Sequence, residues 1–208
     1  MRVRPISPEA LVRELAERID ARPRTGRVRV AVDGAPPSRP GWLADELVGP
    51  LKLRGRPVVR VSAADFLRPA SLRLEYGRTD PEAFYDWLDV GGLRREVLDP
   101  LGPGGSGRVL PALWDSVADR AYRLPYRSLP EGGVLLLDGT LLLGRGLPFD
   151  MSVHLWLSEA ALARGTGEEE RWRLPAYARY EREARPGQSA DVVVRADRPG
   201  HPALQVSG

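Results

Sequence analysis

The run Val134-Leu135-Leu136-Leu137, ending at Asp138-Gly139, has no polar position. A strand with one face in water alternates between apolar and polar residues, so a strand apolar throughout has to be covered on both faces. That is the position of a central strand in a parallel sheet with helices above and below it. Val28, Val30 and Val32 lead into a second such end, Asp33-Gly34, and residues 58–61, 153–157 and 192–194 read as further strands.

The intervening segments read as helices. Ser7 is a candidate N-cap and Pro8 a first helical residue, with Leu11, Val12, Leu15 and Ile19 at helical spacing over about fourteen residues. Residues 42–51 follow the first core strand. Asp80-Pro81-Glu82 opens a helix that continues through Ala83, Phe84, Trp87 and Leu88, and residues 93–98 form another. Segments 158–164 and 168–183 are helical, the second interrupted by Pro175. After the glycine-rich run 102–107, residues 108–115 and 121–128 read as a β-hairpin inserted on the domain. The expected class is a three-layer α/β fold with a central parallel sheet and an inserted β-hairpin. Residues 1–26 form an N-terminal amphipathic helix packed on the domain, and residues 27–208 form the domain itself.

Composition excludes several chemistries. The chain of 208 residues has no cysteine, which removes disulfides, thiolate catalysis and Cys-based zinc sites, and only two histidines, His154 and His201. No metal site is assigned from the residues, and any ion is expected to be Mg²⁺ on carboxylates. His154 falls in a buried strand and reads as structural. No apolar stretch reaches eighteen residues and residues 1–8 lack a signal pattern, so a cytoplasmic protein without a membrane segment is expected. The net charge is +3 with no basic run, which gives no nucleic-acid footprint.

In an open α/β sheet, ligands sit beyond the carboxyl ends of the strands, which directs attention to Gly34-Ala35-Pro36-Pro37-Ser38-Arg39-Pro40-Gly41. A phosphate-binding P-loop needs glycines that turn backbone N–H groups inward, a lysine for the β and γ oxygens, and a Ser/Thr hydroxyl for Mg²⁺. Here Pro40 takes the lysine position and Gly41 the Ser/Thr position, and three prolines remove donors. The single lysine, Lys52, falls roughly 15 Å along the following helix. Gly34, Ser38, Arg39 and Gly41 are the candidate phosphate-binding residues, with Arg39 the local positive charge.

The flanks Val30-Ala31-Val32-Asp33-Gly34 and Leu43-Ala44-Asp45-Glu46-Leu47 resemble those of the Walker A motif of uridine kinases. Segments 61–69, 76–85 and 93–105 are similar to segments of actinobacterial uridine kinase-like proteins, and the likeness spans about residues 27–200. It implies a P-loop NTPase/nucleoside kinase-like fold, ATP with Mg²⁺ as cofactors, and a nucleoside or phosphate-bearing ligand. It also implies roles. The base for the nucleoside hydroxyl aligns with Ala64, with Asp65 next to it, so Asp65 is either a shifted base or a loop cap. Asp138 corresponds to the Walker B carboxylate, or caps a turn. Trp114, Tyr122 and Tyr126 on the hairpin would stack on a base, or pack on the domain. Arg164, Arg171 and Arg173 correspond to lid arginines, or to a solvated helix start.

Two functions follow from the resemblance and the altered loop. One is a kinase-like phosphotransferase with weak or no ATP-dependent activity. The other is a non-catalytic nucleoside- or phosphate-binding regulatory protein. In a third variant, Arg39 holds the phosphates and Asp65 is the base.

Overall fold

The computed structural model describes residues 2–206; Met1 and residues 207–208, which belong to the expected division at 26/27, lie outside the described residues. The chain begins with strand β1 (Arg2–Pro5) and helix α1 (Pro8–Asp20), whose N-cap Ser7 accepts from the Ala10 N–H at 3.2 Å. Then come β2 (Val28–Gly34), α2 (Pro40–Leu53) and β3 (Val58–Ser62). Three short helices follow, α3 (Ala70–Arg73), α4 (Pro81–Tyr85) and α5 (Val90–Leu93), the last running into a π-helical turn, Arg94–Leu98.

The glycine-rich run leads to a hairpin with two short ladders. β4 (Arg108–Val109) pairs with β7 (Arg127–Ser128), and β5 (Trp114–Asp115) with β6 (Arg120–Ala121). The remaining elements are β8 (Val134–Gly139), β9 (Met151–Trp156), α6 (Glu159–Gly165), α7 (Leu174–Glu183), α8 (Pro186–Ser189), β10 (Val192–Arg195) and β11 (Ala203–Val206).

One seven-stranded sheet runs in the order β1-β11-β10-β9-β2-β8-β3. The five strands from β10 to β3 are mutually parallel, as the apolar runs imply. The edge is different: β11 is antiparallel to β10 and to β1, which extends the sheet beyond the expected parallel strands. At four residues each, these segments are too short to carry a strong strand signal; pairing along a preformed edge organises them.

Strand alternation divides the core. Val28, Val30, Val32, Val134 and Leu136 meet Leu11, Leu15, Ile19, Leu43, Leu47 and Leu51 of α1 and α2 on one face. Leu135 and Leu137 meet Phe66, Leu93, Leu98 and Leu129 on the other. Pro175 sits in the first turn of α7, where its missing N–H costs nothing, so the helical reading of 168–183 resolves into a 3₁₀ segment, Glu168–Arg173, followed by α7. The helix begun at Pro81 stops at Tyr85, because Leu88 pairs instead in a bridge with Leu67. Among the described residues, no helix is long and apolar enough to cross a membrane.

Candidate functional site

A cavity of about 490 Å³ opens at the carboxyl ends of β2, β3 and β8. The three strand ends bring Gly34, Ser62 and Asp138 to its floor. Pro40 and Gly41 of α2 form one wall, and Phe84, Trp87, Arg173 and Tyr177 form the other. Phe84 is edge-on to Trp87 and Trp172 at centroid distances of 5.2 and 5.6 Å, those two indoles are tilted at 55° and 5.7 Å apart, and the Arg173 guanidinium lies over all three rings. Arg173 is also paired with Glu170.

The loop after β2 is folded against itself. Pro36–Ser38 make a single 3₁₀ turn, in which the Ser38 N–H donates to Ala35 O and the Arg39 N–H to Pro36 O, both at 2.9 Å. The Ser38 hydroxyl donates to the same Ala35 carbonyl at 2.7 Å. A Cβ on Gly34 would run into Ser38 Oγ and come within 2.9 Å of Leu155 Cβ, so glycine is required for this closure. Arg39 stands where the motif has its second glycine and adopts φ 60°, ψ 53°, a left-handed conformation that costs a side-chain-bearing residue about 1 kcal/mol or more. Its guanidinium rests over the Trp42 ring at 5.5 Å. With three prolines and two committed N–H groups, this loop lacks the inward row of donors that cradles phosphates.

Asp138, 5 % exposed, faces Arg60 of β3: Nη2 is 3.0 Å from Oδ1, and the Ser62 hydroxyl donates to Oδ2 at 3.3 Å. Arg60 Nε is 3.0 Å from Asp45 Oδ1 on α2. Burial raises the Asp138 carboxyl above its ordinary range, opposed by the Arg60 charge and the Ser62 hydroxyl. Mg²⁺ does not fit this set. It needs a near-ideal oxygen shell, yet position 41 offers no hydroxyl and the carboxylate is already engaged by a guanidinium.

Behind the loop lies a buried polar cluster. Asp33, fully buried, accepts from the Leu142 N–H at 3.0 Å and from the Tyr180 hydroxyl at 3.0 Å, and pairs with His154 Nδ1 at 2.7 Å. Leu143 N–H donates to the Tyr180 oxygen at 2.8 Å. His154 Nε2 faces Glu181 at 3.4 Å. Burial alone would lower the imidazole, but its bonds with Asp33 and Glu181 and their charges raise it to about 9. The cluster ties the base of the loop to α7 and borders a second cavity of about 390 Å³ between α6 and α7.

The residues singled out in the sequence divide accordingly. Gly34, Arg39, Gly41, Asp138 and Arg173 line the main cleft, and Ser38 lies on the α1 side of the loop. Ala64, not Asp65, lines the cleft; the half-buried Asp65 accepts from the Leu113 N–H through its carbonyl, and burial raises its carboxyl. Arg164 and Arg171 are exposed and outside the lining. Trp114, Tyr122 and Tyr126 stay on the hairpin, outside the lining: Trp114 Nε1 donates to Asp119 at 3.0 Å and the Tyr126 hydroxyl to Glu96 at 2.8 Å. The aromatic wall is instead Phe84, Trp87 and Tyr177, which in sequence read only as helical apolar positions. Arg60 was also missed. Its one signal is a charge inside the otherwise apolar segment Val58-Val59-Arg60-Val61.

No protein-family profile matches the sequence, and neither does any curated protein. Solved structures do match. A protein described as a possible uridine kinase from Bacillus stearothermophilus superposes with a TM-score of 0.69 at 20 % identity, covering 88 % of this chain and 96 % of that one. One described as a fructose transport system kinase from Silicibacter gives 0.59 at 26 % identity, covering 89 % and 95 %. A D-glycerate 3-kinase from Cryptococcus neoformans gives 0.60 at 15 % identity, covering 93 % and 96 %. The chain has the uridine kinase-like P-loop kinase fold.

Proposed function

We propose that this is a small-molecule-binding protein on a phosphotransferase scaffold, which holds a nucleoside-sized ligand in the main cleft without passing it phosphate from ATP by the P-loop route. The observation that carries the reading is the closure of the loop. Its Ser38 and Arg39 N–H groups and the Ser38 hydroxyl are spent on Ala35 and Pro36. Phosphoryl transfer is largely positioning and electrostatics, so a loop without the lysine and the helix-start hydroxyl, and with most of its N–H donors lost to proline or spent within the loop, lacks the groups that accelerate it. What remains is a ligand pocket: about 490 Å³, walled by aromatic and apolar side chains, with a few polar groups, within the size range of small-molecule sites. The kinases of similar fold act on small hydroxylated molecules by their names, and that class is the natural first panel.

The test is coupled ATP turnover with uridine, cytidine and small sugar or polyol acceptors, alongside calorimetry with the same compounds. Binding without turnover supports the reading. Turnover above that of a loop-deleted control, abolished by Asp138→Asn, overturns it. The variant reading with Asp65 as base is disfavoured, since a base must reach its proton and Ala64 occupies the cleft-lining position.

A further inference from the structure

In a working P-loop kinase, a Ser/Thr hydroxyl at the start of the helix and a strand-terminal aspartate converge on the divalent ion. The corresponding positions here are Gly41 and Asp138, and the Arg60 guanidinium stands beside both. A methyl carbon at position 41 would lie 3.1 Å from Arg60 Nη2 and 3.2 Å from Asp138 Oδ2. A serine or threonine there would therefore press on the guanidinium and the carboxylate together. The glycine, the aspartate and the arginine are mutually fitted: the residue that has lost the metal's hydroxyl is the residue that makes room for the side chain now carrying the charge.

We propose that Arg60, which stands behind Asp138 and Gly41 rather than in the cleft lining, is the resident counter-cation of Asp138 and takes the place of the divalent ion there, so that the cleft takes its ligand without metal. Asp138 is almost fully buried, and a buried carboxylate needs a permanent counter-charge. Arg60 provides it from the edge strand β3, and Asp45 of α2 holds the other side of the guanidinium at 3.0 Å. The charge balance also restricts the ligand. One guanidinium between two carboxylates leaves no surplus positive charge at Asp138, Arg173 is itself paired with Glu170, and the other arginine of the lining, Arg39, lies over the Trp42 ring, away from Asp138's ion pair. A polyphosphate arriving with its magnesium would meet an occupied carboxylate. The chemistry favours an uncharged, hydroxyl-bearing molecule with a planar ring to lie against the aromatic wall, as a nucleoside has. This restriction rests on the ligand-binding reading above; the assignment of Arg60 rests on geometry alone.

The test titrates Mn²⁺ into the full chain, following free Mn²⁺ by electron paramagnetic resonance. We expect no specific binding to the wild type. The double variant Arg60→Ala/Gly41→Ser should bind Mn²⁺ at least about tenfold more tightly, and adding Asp138→Asn should remove the gain. Wild-type binding that Asp138→Asn abolishes overturns the proposal, and so does a folded double variant that binds no better than wild type. Circular dichroism checks folding; if Arg60→Ala does not fold, Arg60→Gln in the same pairing is held to the same two outcomes. Because neither ATP nor a nucleoside enters this measurement, its failure is distinct from a failure of the ligand reading, which the turnover assay decides.

Discussion

His154 Nδ1 and Asp33 Oδ2 lie 2.7 Å apart at the end of β2, and through Tyr180 this buried pair joins the phosphate-loop position to helix α7. The imidazole is raised to about 9 from the ordinary 6.5: burial opposes the charged form, and the bonds and charges of Asp33 and Glu181 outweigh it. A folded-state value above the unfolded one stabilises fully below the unfolded value and is lost as pH rises through the folded one. Wild-type stability should therefore decline between about pH 6.5 and 9, by up to roughly 3 kcal/mol. Urea unfolding across that range measures it. His154→Gln should be less stable at pH 6.5 and nearly flat thereafter; an equal slope in the variant would assign the pH dependence to other groups.

Restoring the motif residues alone should not restore a kinase. In Pro40→Lys/Gly41→Ser the loop keeps its Ser38–Ala35 closure, and the new serine crowds Arg60 and Asp138. The expected result is ATP turnover at the background rate together with a lowered melting temperature. Magnesium-dependent turnover in this variant would show that the two substitutions were the whole defect.

Ala64 is exposed and lines the cleft, so Ala64→Trp should obstruct it at little cost to the fold. Calorimetry with the nucleosides bound by wild type should give at least about tenfold weaker affinity, with stability within about 0.5 kcal/mol of wild type. Tyr126→Ala, on the hairpin, should leave affinity unchanged. A large loss with Tyr126→Ala and none with Ala64→Trp would move the ligand to the hairpin.

Arg56 is fully buried, with one hydrogen bond, Nη1 to Arg22 O at 3.1 Å, and no partner for Nε or Nη2 among the described residues. Burial lowers its guanidinium from the ordinary value. Among the described residues no carboxylate is within ion-pair distance of it, and the more distant Asp20 charge is opposed by that of Arg24, so burial costs more than one hydrogen bond returns and Arg56→Met should stabilise the chain by about 1 kcal/mol. Denaturant midpoints check this; a destabilised variant would mean that the Arg22 contact holds the turn after α1.

Much of the scaffold was legible because burial on two faces leaves a local mark. Val28 to Val32 and Val134 to Leu137 announce covered parallel strands, and Asp33-Gly34 and Asp138-Gly139 mark where those strands stop and the cleft opens. The prolines of residues 36–40 likewise determine by themselves that the loop is short of N–H donors, since proline has none to give. Tertiary structure decided the rest, because each case joins residues that carry no mutual signal along the chain. Arg60 becomes a counter-charge only when β3 pairs beside β8 and sets it 3.0 Å from Asp138. His154 reads as an isolated strand histidine until β9 pairs with β2 in the register Asp33↔His154. Phe84, Trp87 and Tyr177 show only helical spacing in sequence, and become a cleft wall when α4 packs on α7. Periodicity records that a side chain is buried; which charge or ring it meets there is set by strand order and register, and these are properties of the whole chain.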